Sequence, residues 1–214
     1  MTIRVLLATD HVMLTDSLQV LLEAQRDLKV VGKATNGHDA IKRVQRLRPE
    51  VALVALTLPG VNGIEATSKM RDVSPSTGVV ILAGGFPPEF IPRALQAGAK
   101  GYLPKEASGA EVVDAVRAVS RGKRYLSRKI PTALINDYVN ASRSANPLGS
   151  LSPRERQVLQ MVVEGESSAR MASVLSLSRK SVDTYRSRIR QKLGIHHLPG
   201  LVKFAIRNGI TAPE

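Results

Sequence analysis

The sequence predicts two domains: a doubly wound α/β domain with five parallel strands, then an all-α, four-helix domain of helix-turn-helix layout. Three observations predict it. Over the first 120 residues, short and nearly continuous Val/Ile/Leu runs alternate with amphipathic stretches. Such runs belong to parallel strands covered on both faces, and the intervening stretches to crossover helices. Over the last 64 residues the apolar spacing is helical throughout. The charge divides at the same place: the chain carries 31 Lys/Arg against 18 Asp/Glu, a net +13, of which +7 falls in residues 141–214 and +6 in residues 1–140.

Taken in order, the strand candidates are Ile3–Ala8, Leu28–Ala34, Val51–Leu56, Gly78–Leu82 and Gly101–Leu103. Helical patterns fill the gaps at Val12–Gln25, Gly37–Leu47, Asn62–Val73, Glu89–Ala97 and Ser108–Arg121, which sets the first domain at residues 1–121. Asn36-Gly37 and Asn62-Gly63 read as the turns this topology needs before its helices. In GGFPPEFIPRAL, Pro92 would truncate or kink any helix begun earlier. That loop is either drift or a reshaped surface with Phe86 and Phe90 available to a partner or small ligand.

Residues 122–150 read as a linker. A basic run, RGKRYLSRKI, leads to one helix near Pro131–Ala141 and then to the Ser/Asn/Pro/Gly-rich SRSANPLGS. In residues 151–214, Ser152-Pro153-Arg154-Glu155 starts a helix, with a capping Ser, Pro at the first position and Glu at the third. Apolar residues at 158, 159, 162 and 163 give it one buried face. Helices follow at Ser167–Leu175, Arg179–Leu193 (closed by Gly194) and Pro199–Asn208.

Composition narrows the function. A pI near 10.5 points to a polyanion as partner. The absence of Cys excludes a disulfide framework and thiolate chemistry. Aromatics at 3% with no Trp argue against base stacking on single strands. No apolar run reaches the ~18 residues of a membrane span, and MTIRVLLATD meets an acid too early for a secretory leader, so a soluble, cytoplasmic protein with no membrane partner is expected. The four His lack metal-ligand spacing, and no phosphate-binding glycine loop or GxSxG elbow occurs. No enzyme activity, cofactor or metal is expected.

On helix 179–193, Val182, Tyr185, Ile189 and Leu193 share one face, which would anchor it. The other presents Asp183, Thr184, Ser187, Arg188 and Gln191, flanked by Arg179, Lys180, Ser181, Arg186, Arg190 and Lys192. Cations along such a helix would neutralise phosphates while short polar groups reach base edges. Taken alone, the pattern equally fits a solvated charged face.

The run LSPRERQVLQMVVEGESSARMASVLSLSRKSVDTYRSRIRQKLGI, continuing to LVKFA, closely resembles the LuxR-type helix-turn-helix of NarL/FixJ-family response regulators. The resemblance implies double-stranded DNA as partner, with Asp183, Thr184, Ser187 and Arg188 placed for base contact and the flanking cations for phosphate. It implies a homodimer, with Leu201, Val202 and Ala205 at the dimer face, although their spacing also suits domain core. Ser168-Ala169-Arg170 departs from the family's usual Asn-Lys-Glu.

Residues 2–121 then resemble the family's receiver domain, a flavodoxin-like fold, through ATDHVMLTDSL, PEVALVALTLPGVNGIEA, VVILAG and AGAKGYLPKEASGAEVVDAV. A working receiver has an acceptor Asp after the third strand, two acids after the first for Mg²⁺, a hydroxyl after the fourth and a Lys after the fifth. The matching residues here are Ala55, Thr9-Asp10, Ala83 and Lys105, with Tyr102 at the family's switch aromatic. An aspartyl phosphate cannot form on alanine, and three losses together favour a naturally degenerate pocket over an engineered Ala55. Thr57 is the one nearby hydroxyl to consider as a substitute acceptor. With two of the three acids gone, the remaining Asp10 and Lys105 are expected to pair. The resulting expectation is a transcription regulator acting without aspartyl phosphorylation, with a protein or small-molecule regulator of unknown identity at the receiver-like domain. The alternatives are a conventional two-component regulator with an Ala55 substitution and a protein-interaction adaptor using the receiver-like face.

Overall fold

Apolar residues that alternate along a strand can be buried on both sides only if helices cover both sides of the sheet. The computed structural model, which describes residues 2–84, 90–128, 130 and 148–211, shows this arrangement in the first of two units, Met1–Ser142. Its elements are β1 (Ile3–Ala8), α1 (Val12–Glu23), β2 (Leu28–Ala34), α2 (Gly37–Leu47), β3 (Val51–Ala55), α3 (Gly63–Val73), β4 (Gly78–Ala83), α4 (Phe90–Ala97), β5 (Gly101–Pro104), α5 (Gly109–Ser120) and β6 (Tyr125–Leu126). The described strands form one parallel sheet in the order β2-β1-β3-β4-β5-β6.

The sheet therefore has six strands among the described residues, one more than the sequence pattern indicates. β6 lies in the stretch read as linker and pairs Tyr125 and Leu126 with Gly101 and Tyr102 of β5. Two residues cannot display a period, and the flanking basic residues hide the strand. Gly122 (φ +78°) turns the chain back toward the sheet, and Ile130 is buried against the core on the α2–α4 side. Loop residues 85–89, including Phe86, and the expected helix near 131–141 lie outside the described residues. In α4, Pro92 occupies the first described turn, where its missing N–H costs least.

Successive strand residues feed two apolar layers. Val5, Leu7, Leu53, Val80, Leu82 and Leu103 face α1 and α5, packing with Leu18, Leu22, Val113 and Val116. Leu6, Ala8, Val54, Ile81, Ala83 and Tyr102 face α2–α4, packing with Ala40, Val44, Met70 and Ala94. Arg117 of α5 clamps Asp27 with two hydrogen bonds, 2.9 and 2.7 Å, holding that carboxyl below its ordinary pKa.

The Asn-Gly pairs do more than turn. Asn36 and Asn62 cap α2 and α3 by accepting the N–H groups of Asp39 (2.9 Å) and Glu65 (3.0 Å). The glycines permit close backbone approach: a Cβ on Gly37 would lie 2.0 Å from the Val61 carbonyl oxygen, and one on Gly63 2.2 Å from that of Ala55. The loop after β3 is thus pressed against the strand's own end.

The second unit, Arg143–Glu214, contains α6 (Pro153–Val163), α7 (Ser168–Leu175), α8 (Arg179–Leu193) and α9 (Leu198–Arg207) among its described residues. Ser152 and Glu155 form a reciprocal capping box at α6, with Pro153 in its first turn. Val158, Leu159, Val162, Met171, Leu175, Val182, Ile189, Leu201 and Ala205 make one core. Leu201 and Ala205 thus take the core role of the two that their spacing allows, and Val202 is half-buried. No described helix is long and apolar enough to cross a membrane.

Gly63→Ala is expected to destabilise the first unit by about 2 kcal/mol, because the new methyl meets backbone that cannot yield. Gly84→Ala, facing open space, should stay within about 0.5 kcal/mol. Hydrogen exchange at the β3 amides in urea, on the full-length chain, reads both.

Candidate functional sites: the basic helix and the carboxyl edge of the sheet

Helix α8 is held by Val182 and Ile189, both buried, with Tyr185 and Leu193 packed beside them. That anchoring turns Lys180, Asp183, Thr184, Ser187, Arg188 and Gln191 outward, all exposed, in one stripe. Arg179 and Lys192 are also exposed, whereas Ser181, Arg186 and Arg190 are half-buried. The helix begins at Ser178, whose Oγ accepts the Ser181 N–H at 3.0 Å, and ends at Gly194 with φ +65°.

Two of the sequence-predicted cations have structural duties. Lys192 Nζ donates to Glu155 Oε2 at 2.7 Å, tying the end of α8 to the start of α6. The Glu155 side chain is only 4% exposed, and the same oxygen accepts the Ser152 N–H. Burial pushes the Glu155 carboxyl up, but its hydrogen bonds to Lys192 and Ser152 outweigh burial and hold it below the ordinary value. Arg186 Nη1 donates to Ser168 Oγ at 2.9 Å, and Ser168 donates to Asp183 Oδ1 at 3.4 Å. Arg190 is half-buried beside Leu159, Val162 and Leu201.

Sequence reasoning missed two of these anchors. Ser168 stands where the sequence departs from the family pattern and bridges α7 to α8. Arg154 donates to the Leu175 carbonyl and to Gln157, joining α6 to the end of α7. The capping-box spacing signalled Glu155 as a cap; nothing local signals a partner 37 positions away.

In the first unit, parallel register brings the ends of β3, β4 and β5 side by side: Ala55 pairs with Leu82, and Ala83 with Pro104. Lys105 follows, its N–H bonded to the Ala83 carbonyl at 2.7 Å. Ala55 and Ala83 are wholly buried in the layer that also holds Ala8 and Tyr102. Thr9 is buried, and its Oγ1 accepts the His11 N–H at 3.2 Å. Asp10 is exposed with His11 Nε2 at 3.9 Å. The expected Asp10–Lys105 pair does not form: among the described residues no salt bridge joins them, since Asp10 projects outward on the loop after β1 while Lys105 lines the cleft between α1 and α5. Thr57 is half-buried in the loop after β3.

A family model described as "Response regulator receiver domain" matches residues 5–117, and one described as "Bacterial regulatory proteins, luxR family" matches residues 149–205. The chain is 34% identical over 212 residues to the response regulator UvrY of Escherichia coli (strain K12), covering 99% of this chain and 97% of that one. The chain belongs to the LuxR-family response regulators. This regulator is also 32% identical over 210 residues to the oxygen regulatory protein NreC of Staphylococcus aureus (strain bovine RF122 / ET3-1), covering 95% and 97% of the two chains. A two-component response regulator of the LuxR family from Aurantimonas sp. SI85-9A1 superimposes with a TM-score of 0.61 at 30% identity, covering 65% of this chain and 99% of that one. A response regulator of this family is a DNA-binding transcription regulator, with the LuxR-type helical unit as its DNA-binding part.

A carboxyl whose pKa is lower folded than unfolded adds stability above its ordinary value and loses it as pH falls through the folded value. Glu155→Gln is therefore expected to cost the helical unit about 2 kcal/mol near neutrality. It should also remove the acid-side loss that the wild type shows below its ordinary carboxylate range. Thermal melts of the full chain across pH, followed at Tyr185, check both.

Proposed function

We propose that this regulator controls transcription without aspartyl phosphorylation. The observation that carries the reading is the wholly buried methyl of Ala55 at the end of β3, in one apolar layer with Ala83. Alanine offers no oxygen to phosphorylate. The residues at this edge also do not fit Mg²⁺, which takes hard oxygen ligands. Asp10 is a single exposed carboxylate, Ala55 contributes none, and the Thr9 hydroxyl oxygen is turned back on the His11 N–H. Tyr102, at the switch position, is buried and locked in register between Ile81 and Leu126, which supports a domain held in one state.

DNA is read, on this proposal, by the exposed stripe of α8 in the major groove. Thr184, Ser187 and Arg188 face base edges, Arg179 and Lys180 face phosphates, and Asp183 with Arg186 sets the approach through Ser168. Ser181 belongs to the cap, Lys192 ties the helix to α6, and Arg190 is half-buried against the core. Helix-turn-helix proteins pair across two half-sites. The face of α9 that supports a homodimer is Leu198, which is 50% exposed, with Val202 one turn on.

Two outcomes test this. Incubation of the full chain with acetyl phosphate and Mg²⁺ should leave its intact mass unchanged; a stoichiometric phospho-adduct overturns the reading. On duplex fragments captured from genomic DNA by the purified protein, Lys180→Ala with Arg188→Ala should weaken binding by about 2 kcal/mol or more and lower the salt slope by about 1. Wild-type affinity in that double variant would mean another surface reads the DNA.

A further inference from the structure

The α1–α5 side of the first unit holds an open cleft of about 160 Å³, room for a small ligand rather than a drug-sized one. Leu14, Leu18 and Leu21 of α1 form one wall and Val112 of α5 the other. The β5–α5 connection closes one end with Pro104, Lys105 and Ala107. Gly109 keeps α5 close to α1, since a Cβ there would lie 2.7 Å from Leu21 Cδ1.

The polar content of this cleft is small and of one sign. Lys105 is the one charged side chain among the described lining residues, and it is half-buried. Its backbone is fixed by the bond to Ala83, yet its ammonium makes no ion pair with any described residue. Neither Asp10 nor Glu106 lines the cleft. Ser17, the other polar lining residue, already donates its hydroxyl hydrogen to the Met13 carbonyl at 2.8 Å. A single cation at the end of leucine and valine walls complements a ligand with one negative charge and an apolar body.

We propose that the α1–α5 cleft binds a small monocarboxylate with an apolar body, its anion on Lys105 and its hydrocarbon between Leu14, Leu18, Leu21 and Val112. The proposal rests on the reading that this domain is not switched by acyl phosphate, and names the class of ligand that takes that place. Phosphorylation requires a nucleophile at the end of β3; this site requires only the lysine that remains and the apolar walls beside it.

The test uses the full-length protein, sodium decanoate and, as the uncharged match, decanol, by calorimetry and by methyl NMR of the Leu and Val side chains. Decanoate should bind saturably at one site, at least tenfold more tightly than decanol, and shift the methyls of Leu14, Leu18, Leu21 and Val112. Lys105→Met should weaken decanoate at least tenfold and leave decanol unchanged, while Lys105→Arg stays within threefold of wild type. Ser17→Trp, placed at an exposed position to fill the cleft, should abolish both. Absence of saturable binding overturns the proposal, as does decanoate binding that Lys105→Met and Ser17→Trp leave untouched. Sedimentation that shows Ser17→Trp breaking a dimer, with no decanoate bound to wild type, assigns the face to a second copy of the chain and also overturns it. A phospho-adduct on the same sample would overturn the reading of the domain, independently of whether decanoate binds.

Discussion

The central strands β1, β3, β4 and β5 have helices on both faces, so each must supply alternate residues to two separate apolar layers. Leu7, Leu53 and Leu103 go to one, and Leu6, Val54 and Tyr102 to the other. A one-residue slip would exchange the layers along a whole strand, so the register is tightly specified. Strand ends held in that register stand in a row, and this places Ala55, Ala83 and Lys105 side by side. The cleft beside α1 and α5 lies at the margin of one of these apolar layers, with Leu18, Leu82 and Val112 among its walls.

The helical unit is organised around a different economy. Its surface is strongly basic, but its cations are not equivalent. Arg179, Lys180 and Arg188 extend outward, while Lys192 neutralises the buried Glu155 and Arg186 engages Ser168. Cations that stabilise fixed partners orient the helix and contribute little to counterion release, whereas the outward ones do the reverse. The orientation of α8 thus depends on charges that a count of basic residues would assign to the ligand.

The doubly wound topology and the helix order of the second unit were legible because strand runs such as Val51–Ala55 and caps such as Ser152-Pro153-Arg154-Glu155 are local signals. The exposed stripe of α8 was legible for the same reason, since Val182 and Ile189 set its inner face. β6 was not, because two residues carry no periodicity. Partners far apart in sequence were also hidden: Glu155 with Lys192, and Ser168 with Arg186 and Asp183. The expected Asp10–Lys105 pair failed because adjacency of strand ends fixes backbones, not the direction of long side chains. The glycines at 37 and 63 read as turns, yet their requirement is steric, set by backbone brought close in the fold.

The buried methyl of Ala55 also limits what can stand in its place. A carboxylate introduced there would enter a wholly buried apolar layer, at a desolvation cost of several kcal/mol if left unpaired. An acid placed there alone would thus be opposed by stability before it conferred any chemistry. The apolar edge is selective in what it tolerates: a further methyl group finds its own kind there, and a lone charge does not.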